Sequence, residues 1–295
     1  MARRKVIIQL RCNEFAGRDA NPHVPWSPQE LAADAAAACA AGAAILHFHA
    51  RTADGGASHD AAVYGDVIRR VRSVCDLIVN PTLGASDIAD PLQRVAHIPI
   101  LGQHPDTAPE LAPVDLASVN IDPYLPGIGF LMRDLVYLNP VQGICDEIAA
   151  IQGAGARVDA LLWNVGSARL LAVLMAEGVL QAPLMVELAL SDLLLVTHPA
   201  TERGLCSLLE FLPAGHTLPW TYLVNGGSAL PLLPTALALG GHVSLGLGDH
   251  GYTEIAPADA PPRNADVVRA AVEIIRACGC EPASPAEARE ILGLL

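Results

Sequence analysis

The sequence predicts an α/β fold, a (β/α)₈ TIM barrel, and three observations carry that expectation. Short β-branched runs alternate with Ala-rich helical stretches, which is the pattern of a parallel sheet joined by helices. Eight such runs can be placed along the chain. The length of 295 residues fits one barrel of roughly 250 residues with some decoration. No internal repeat and no low-complexity linker divides the chain, so residues 1–295 are expected to form a single domain. A doubly wound open sheet is the alternative, but no Gly-rich dinucleotide loop follows any early strand.

The first strand is expected at residues 6–12. Ser27-Pro-Gln-Glu30 then opens a helix, with Ser27 as N-cap, Pro28 in the first turn and Glu30 closing a capping box. That helix should stop at Gly42. Residues 43–50 read as the second strand, with 60–73 helical after it, and 77–82 as the third. The Pro-rich stretch 97–113 reads as an elaborated loop, and 116–121 as the fourth strand. Residues 158–163, 184–190, 220–224 and 242–247 supply the other four. A further run at 135–138 is set outside the barrel, because no crossover helix separates it from the fourth strand.

Composition narrows the function classes. A net charge of −13 argues against a nucleic-acid surface, which needs clustered Lys and Arg. Lys5 is the only lysine, so binding of an anionic substrate falls to arginine. Seven cysteines without a Cys-x-x-Cys pair suggest reduced thiols in the cytoplasm. The apolar run after the basic start is interrupted at Gln9 and Arg11, as in a first strand and unlike a signal peptide. No stretch has the uninterrupted apolar length of a membrane span.

The strongest local signal is Leu46-His47-Phe48-His49-Ala50-Arg51. Side chains alternate along a strand, so His47 and His49 point the same way. In a barrel that way is inward, at the strand's C-terminal end, where barrel enzymes keep their sites. Two such imidazoles can share one tetrahedral metal, with zinc the first choice; two satisfied core histidines are the plain alternative. A third ligand has candidates near other strand ends in Glu14, Asp122, Glu187, Asp249 and His250. Asp249 follows the last strand, placed either for catalysis at the mouth or as a turn residue. Asn80-Pro-Thr82 and Ser118-Val-Asn120 offer amides and hydroxyls for a carboxylate or ketone, or simply turn chemistry. Gly226-Gly-Ser228 is either a phosphate cradle or a plain helix cap. No Gly-x-Ser-x-Gly elbow supports a serine triad.

Several segments together resemble the β-keto acid cleavage enzymes. They are Asn21-Pro-His-Val-Pro25 with Ser27-Pro-Gln-Glu30, Ala41-Gly-Ala with His47-Phe-His49-Ala-Arg51, and Ala117-Ser-Val-Asn120. Gly240-Gly-His-Val243 and the tail Ser284-Pro-Ala-Glu-Ala-Arg289 with Leu292-Gly293 complete the set. The resemblance covers nearly the whole chain and implies a zinc-dependent barrel that forms homo-oligomers, dimers or tetramers. It implies reaction of a small-molecule β-keto acid with acetyl-CoA as co-substrate, giving acetoacetate and a new acyl-CoA. In that course zinc favours the enolate, the enolate attacks the acetyl thioester, and a retro-Claisen step releases acetoacetate.

Carried over by position, His47 and His49 match the family's zinc histidines and Asp249 its catalytic aspartate. Glu14, Arg51, Thr82, Gly84, Ser118 and Asn120 make up the expected substrate-binding set. The family's last-strand motif Gly-His-Val-Arg-Val-Gly-Leu-Glu-Asp-Asn reads here Gly241-His-Val-Ser-Leu-Gly-Leu-Gly-Asp-His250. Ser244 therefore stands where the aspartate's Arg partner belongs, and Gly248 where the third zinc ligand belongs. Leu83 replaces a loop hydroxyl, and the family's Pro-Glu-x-Glu reads Val158-Asp-Ala-Leu161. The expectation is that His250, or Asp249, replaces the missing ligand, and that 3-keto-5-aminohexanoate is not the substrate. Two other readings stay open. One is a metal-dependent hydrolase or lyase without CoA, separable by omitting acetyl-CoA; the other is a non-catalytic small-acid-binding relative.

Overall fold

A computed structural model describes residues 3–84, 88–257 and 259–294. Eight parallel strands line the barrel: β1 Ile8–Arg11, β2 Ile45–Phe48, β3 Ile78–Pro81, β4 Leu111–Asp115, β5 Arg157–Leu162, β6 Met185–Ser191, β7 Trp220–Asn225 and β8 Val243–Leu245. They form two ladder-bonded arcs, β8-β1-β2-β3 and β4-β5-β6-β7. The arcs close on each other where β3 runs beside β4 and β7 beside β8. At the second seam the His242 amide donates to the Trp220 carbonyl at 2.8 Å.

The helices form the outer layer: α1 Pro28–Ala41, α2 Ala61–Val74, α3 Pro91–Val95, α4 His97–Leu101, α5 Val141–Gly153, α6 Val165–Ala176, α7 Glu202–Leu209, α8 Leu233–Ala238, α9 Asn264–Ala277 and α10 Pro285–Leu292. None is long and apolar enough to cross a membrane. The start of α1 takes the expected form: Ser27 Oγ accepts from the Glu30 amide, and Glu30 accepts from the Ser27 amide at 2.9 Å. The helix ends at Gly42, whose φ of 123° is a conformation that glycine adopts without the Cβ penalty.

Alternation along β2 divides the molecule. Leu46 and Phe48 face the helix layer and join the main core, with Phe48 against Tyr64 and Tyr64 stacked on His97 at 4.3 Å. His47 takes the opposite, inward direction. The N-terminal mouth of the barrel is plugged by Ile7, Ile45, Ile78, Leu111 and Met185 under Ala288 and Leu292 of α10. An added parallel pair, Lys5–Val6 with Glu281–Pro282, ties that end down. The sealed end leaves the C-terminal mouth for chemistry.

The fourth barrel strand lies earlier than its sequence suggests. Residues 97–113 are not one elaborated loop: they contain α4 and most of β4. Residues 116–121 leave the barrel instead, with Val119–Asn120 pairing antiparallel to Val136–Tyr137. The reason is Pro113. A proline inside a strand argues against that strand because it cannot donate to a ladder, yet β4 is ladder-bonded only to β5 and tolerates the missing donor. The run at 135–138 does lie outside the barrel, as part of this excursion. A buried pair beneath it, Arg94 to Glu147 at 3.2 Å, joins α3 to α5, and Arg94 also donates to the Leu138 carbonyl.

Candidate active site

At the open mouth, the loop after β1 turns back over the end of β2. Asn13 directs it: its side chain accepts from the His49 amide and donates to the His49 and Pro25 carbonyls, all within 3.1 Å. Arg51 clamps the same loop through the Asn13 and Glu14 carbonyls, and is itself held through the Gly55 carbonyl of the loop after β2. Glu14 itself has φ 31°, a conformation that costs a non-glycine residue on the order of 1–3 kcal/mol and collects at functional sites.

That geometry puts the Glu14 carboxylate directly on the two imidazoles. Glu14 Oε2 lies 2.8 Å from His49 Nε2, and Glu14 Oε1 lies 3.3 Å from His47 Nε2. All three residues are buried, and their donor atoms lie within 4.8 Å of one another. Glu14 Oε1 has no hydrogen-bond partner among the described residues. Two imidazole nitrogens and a carboxylate oxygen, with a side open to a cavity, are the donor set of a catalytic divalent-metal site. The residues present therefore fit such an ion.

Gly248 makes this placement possible. A Cβ at Gly248 would lie 2.5 Å from Glu14 Cγ, 2.8 Å from the Glu14 nitrogen and 2.9 Å from the Arg11 carbonyl oxygen. Glu14 thus fills the space into which a side chain at 248 would project. His250 does not take the ligand role expected for it. Its Nε2 bonds Glu254 at 3.1 Å, and it lies outside the Glu14–His47–His49 cluster.

Beside the cluster sits Arg11, at the C-terminal end of β1. Its guanidinium donates to Asp249 Oδ2 at 2.8 Å, Glu14 Oε2 at 2.9 Å and Glu187 Oε2 at 3.0 Å. Asp249 therefore has an arginine partner although position 244 is serine. Ser244 lies beside Gln9 on β1 and accepts from the Gln9 amide, which also donates to Glu187. Below them Asn80 donates to Asp159 at 2.8 Å.

The electrostatics follow from burial and this one cation. Burial opposes ionisation of Glu14, but Arg11, His47 and His49 outweigh it and hold Glu14 well below the usual carboxylate range. Burial lowers the pKa of His49; at His47 the Glu14 charge outweighs burial and the pKa is raised. Burial pushes Asp249 up to about 7 against the pull of Arg11, and Asp159 also to about 7. Asp249 Oδ1, unlike Oδ2, has no hydrogen-bond partner among the described residues.

A cavity of about 290 Å³ unites Arg11, Glu14, His47, His49, Glu187 and Asp249, and Thr82 and Gly84 also line it. Arg51 holds the loop from behind and is not among the lining residues. Ser118 and Asn120 do not line it either: both are exposed on the excursion, and Ser118 Oγ accepts from the Asn139 amide. Their removal follows from the shift of β4. Asp122 caps the turn at the Leu135 amide. Arg11 is the residue that sequence reasoning passed over; its signal was the alternation with Gln9, which turns both inward.

Known proteins share this architecture. The chain is 26% identical over 295 residues to the 3-keto-5-aminohexanoate cleavage enzyme of Fusobacterium nucleatum, covering 100% of this chain and 99% of that protein. It is 28% identical over 293 residues to the 3,5-dioxohexanoate:acetyl-CoA acetone transferase of Paraburkholderia graminis, covering 93% and 90%. In structure it is similar to apo ObcA, with a TM-score of 0.75 at 18% identity over 92% of this chain and 66% of that one. The family model of the beta-keto acid cleavage enzymes matches residues 5–294, and the chain belongs to that family.

Proposed function

We propose that this protein is a metal-dependent acyltransferase that reacts a β-keto acid with acetyl-CoA, releasing acetoacetate and a new acyl-CoA. The observation that carries this reading is the convergence of Glu14, His47 and His49 beside an Arg11-held Asp249 in one cavity. Membership of the β-keto acid cleavage enzymes supports the substrate class. The relative whose name includes acetyl-CoA supports the co-substrate.

Glu14, His47 and His49 would hold the ion, with zinc the best match to two imidazoles and a carboxylate. When bound, it supplies Lewis-acid stabilisation of the negative charge that develops on the keto acid. The rest belongs to the chain's own side chains. Asp249 takes a proton from C2 of the keto acid on its free Oδ1, while Arg11 holds Oδ2 and fixes the carboxylate's orientation. A base whose pKa lies near neutrality is suited to removing and returning a proton. The C2 carbanion then attacks the acetyl thioester, and the C–S bond breaks to release CoA thiolate. The thiolate attacks C3, the C2–C3 bond cleaves, and Asp249 returns the proton to acetoacetate. Thr82, on the cavity wall, offers a hydroxyl to the substrate carboxylate.

The test has two parts. Metal content is measured by mass spectrometry on untagged protein dialysed without chelator, beside a His47→Ala control. A panel of β-keto acids is then assayed with and without acetyl-CoA. About one zinc per chain, with acetoacetate formed only when acetyl-CoA is present, is the expected result. Cleavage of the keto acid in the absence of acetyl-CoA would assign a hydrolase or lyase instead.

A further inference from the structure

The cavity has two unlike halves. The ends of β1, β2 and β8 and the buried Glu187 of β6 bring the charged groups together. Across from β1 stands β5, four strands round in either direction, and that side is apolar. Its wall is made by Pro113 of β4, Leu161 of β5, Trp163 just beyond it, Ile121 and Tyr137 of the excursion, and Leu194 of the loop after β6. Leu161 and Trp163 also belong to an apolar cluster with Ala189 and Leu223 at this mouth.

Among the described residues one acid, Asp115, lines this half, and it is engaged. Asp115 Oδ1 accepts from Trp163 Nε1 at 2.6 Å, and Oδ2 accepts from the Tyr137 hydroxyl at 3.0 Å. Arg94 sits 4.9 Å from the centre of the Tyr137 ring, so a positive charge already neighbours this corner. A substrate ammonium would lose its hydration here and meet a carboxylate that already accepts one hydrogen bond on each oxygen and lies near the Arg94 charge.

A β-keto acid is bipolar in the same sense as the cavity. Its carboxylate, ketone and C2 need the charged half, so the group on C3 must extend toward Leu161 and Trp163. We infer that the substrate's C3 group is an uncharged aliphatic chain, recognised by Leu161, Trp163, Leu194 and Ile121. This rests on the proposed β-keto acid chemistry and adds the substrate class to it.

The experiment measures binding to the zinc-loaded full chain by calorimetry, without acetyl-CoA. The probes are 3-oxopentanoate, 3-oxohexanoate, 3-oxoheptanoate and 3-keto-5-aminohexanoate. Each added methylene should tighten binding about fourfold while it is being buried. The amino compound should bind at least about tenfold more weakly than 3-oxohexanoate. A Leu161→Glu protein should reverse that last preference. Should it fail to fold, Leu194→Ala should flatten the chain-length series. Affinities that do not change with chain length, or an amino compound that binds as well as 3-oxohexanoate, would overturn the inference. Turnover with acetyl-CoA is scored separately. A chain-length series in binding without any turnover would remove the proposed transferase reaction and leave the specificity standing. Turnover that favours the amino compound would do the reverse.

Discussion

Replacing Gly248 with alanine tests the link between a missing side chain on β8 and the metal cluster on β1 and β2. The added methyl would lie 2.5 Å from Glu14 Cγ and within 3 Å of two backbone atoms, the Glu14 nitrogen and the Arg11 carbonyl oxygen. Backbone cannot rotate away as a flexible side chain can, so the loop carrying Glu14 must move. Overpacking of this kind costs about 1–3 kcal/mol, which lowers Tm by about 2–5 °C in a domain of this size. Displacing Glu14 by a fraction of an ångström should also weaken zinc binding at least about tenfold. Each tenfold loss removes about 1.4 kcal/mol of the stabilisation that saturating metal provides, worth about another 2 °C. Chelator competition gives the affinity, and melting with and without zinc gives the linkage. Gly153→Ala is the control, because nothing lies within 4 Å of its added methyl; it should melt at or slightly above wild type. A Gly248→Ala protein with wild-type zinc affinity and Tm would refute the packing of Glu14 into the space beside Gly248.

Asp249→Asn keeps the shape and one acceptor for Arg11 but removes the base. Exchange of the C2 proton of a bound keto acid with deuterium, followed by NMR, should fall at least about a hundredfold while zinc stays bound. Arg11→Met leaves Glu14, Glu187 and Asp249 without their shared cation. Chemical denaturation should show a loss of about 3–5 kcal/mol, and a variant as stable as wild type would contradict the network. Acid sensitivity should come partly from His97, which burial holds down at about 4 while its Nε2 donates to the Thr82 carbonyl. The unfolded chain takes up this proton near pH 6.5 and the folded chain only near 4, so stability is lost as pH falls through that window. The difference amounts to about 3 kcal/mol. Burial depresses His242 in the same way, so a His97→Gln protein should show a shallower fall in stability below about pH 6.5, with part of the slope remaining.

Local rules carried a large part of this molecule. The capping box at Ser27 and Glu30 depends on neighbours three residues apart, and the structure forms it. His47 and His49 share a face because strand periodicity requires it, and they converge in one cluster. β4 escaped the same rules, because Pro113 argues against a strand unless one knows that the strand sits at a seam. The exposure of Ser118 and Asn120 followed from that single shift.

Periodicity within short segments is enough to specify the barrel grammar, the paired histidines and the end of the barrel where they sit. Which groups complete the site depends on contacts between segments far apart in the chain. Arg11 reaches Asp249 across 238 positions, and Glu14 occupies the space left by Gly248. A side chain missing from one strand can be replaced from the next because neighbouring strands of a barrel stand about 4.8 Å apart. That exchange leaves no mark at either position read alone.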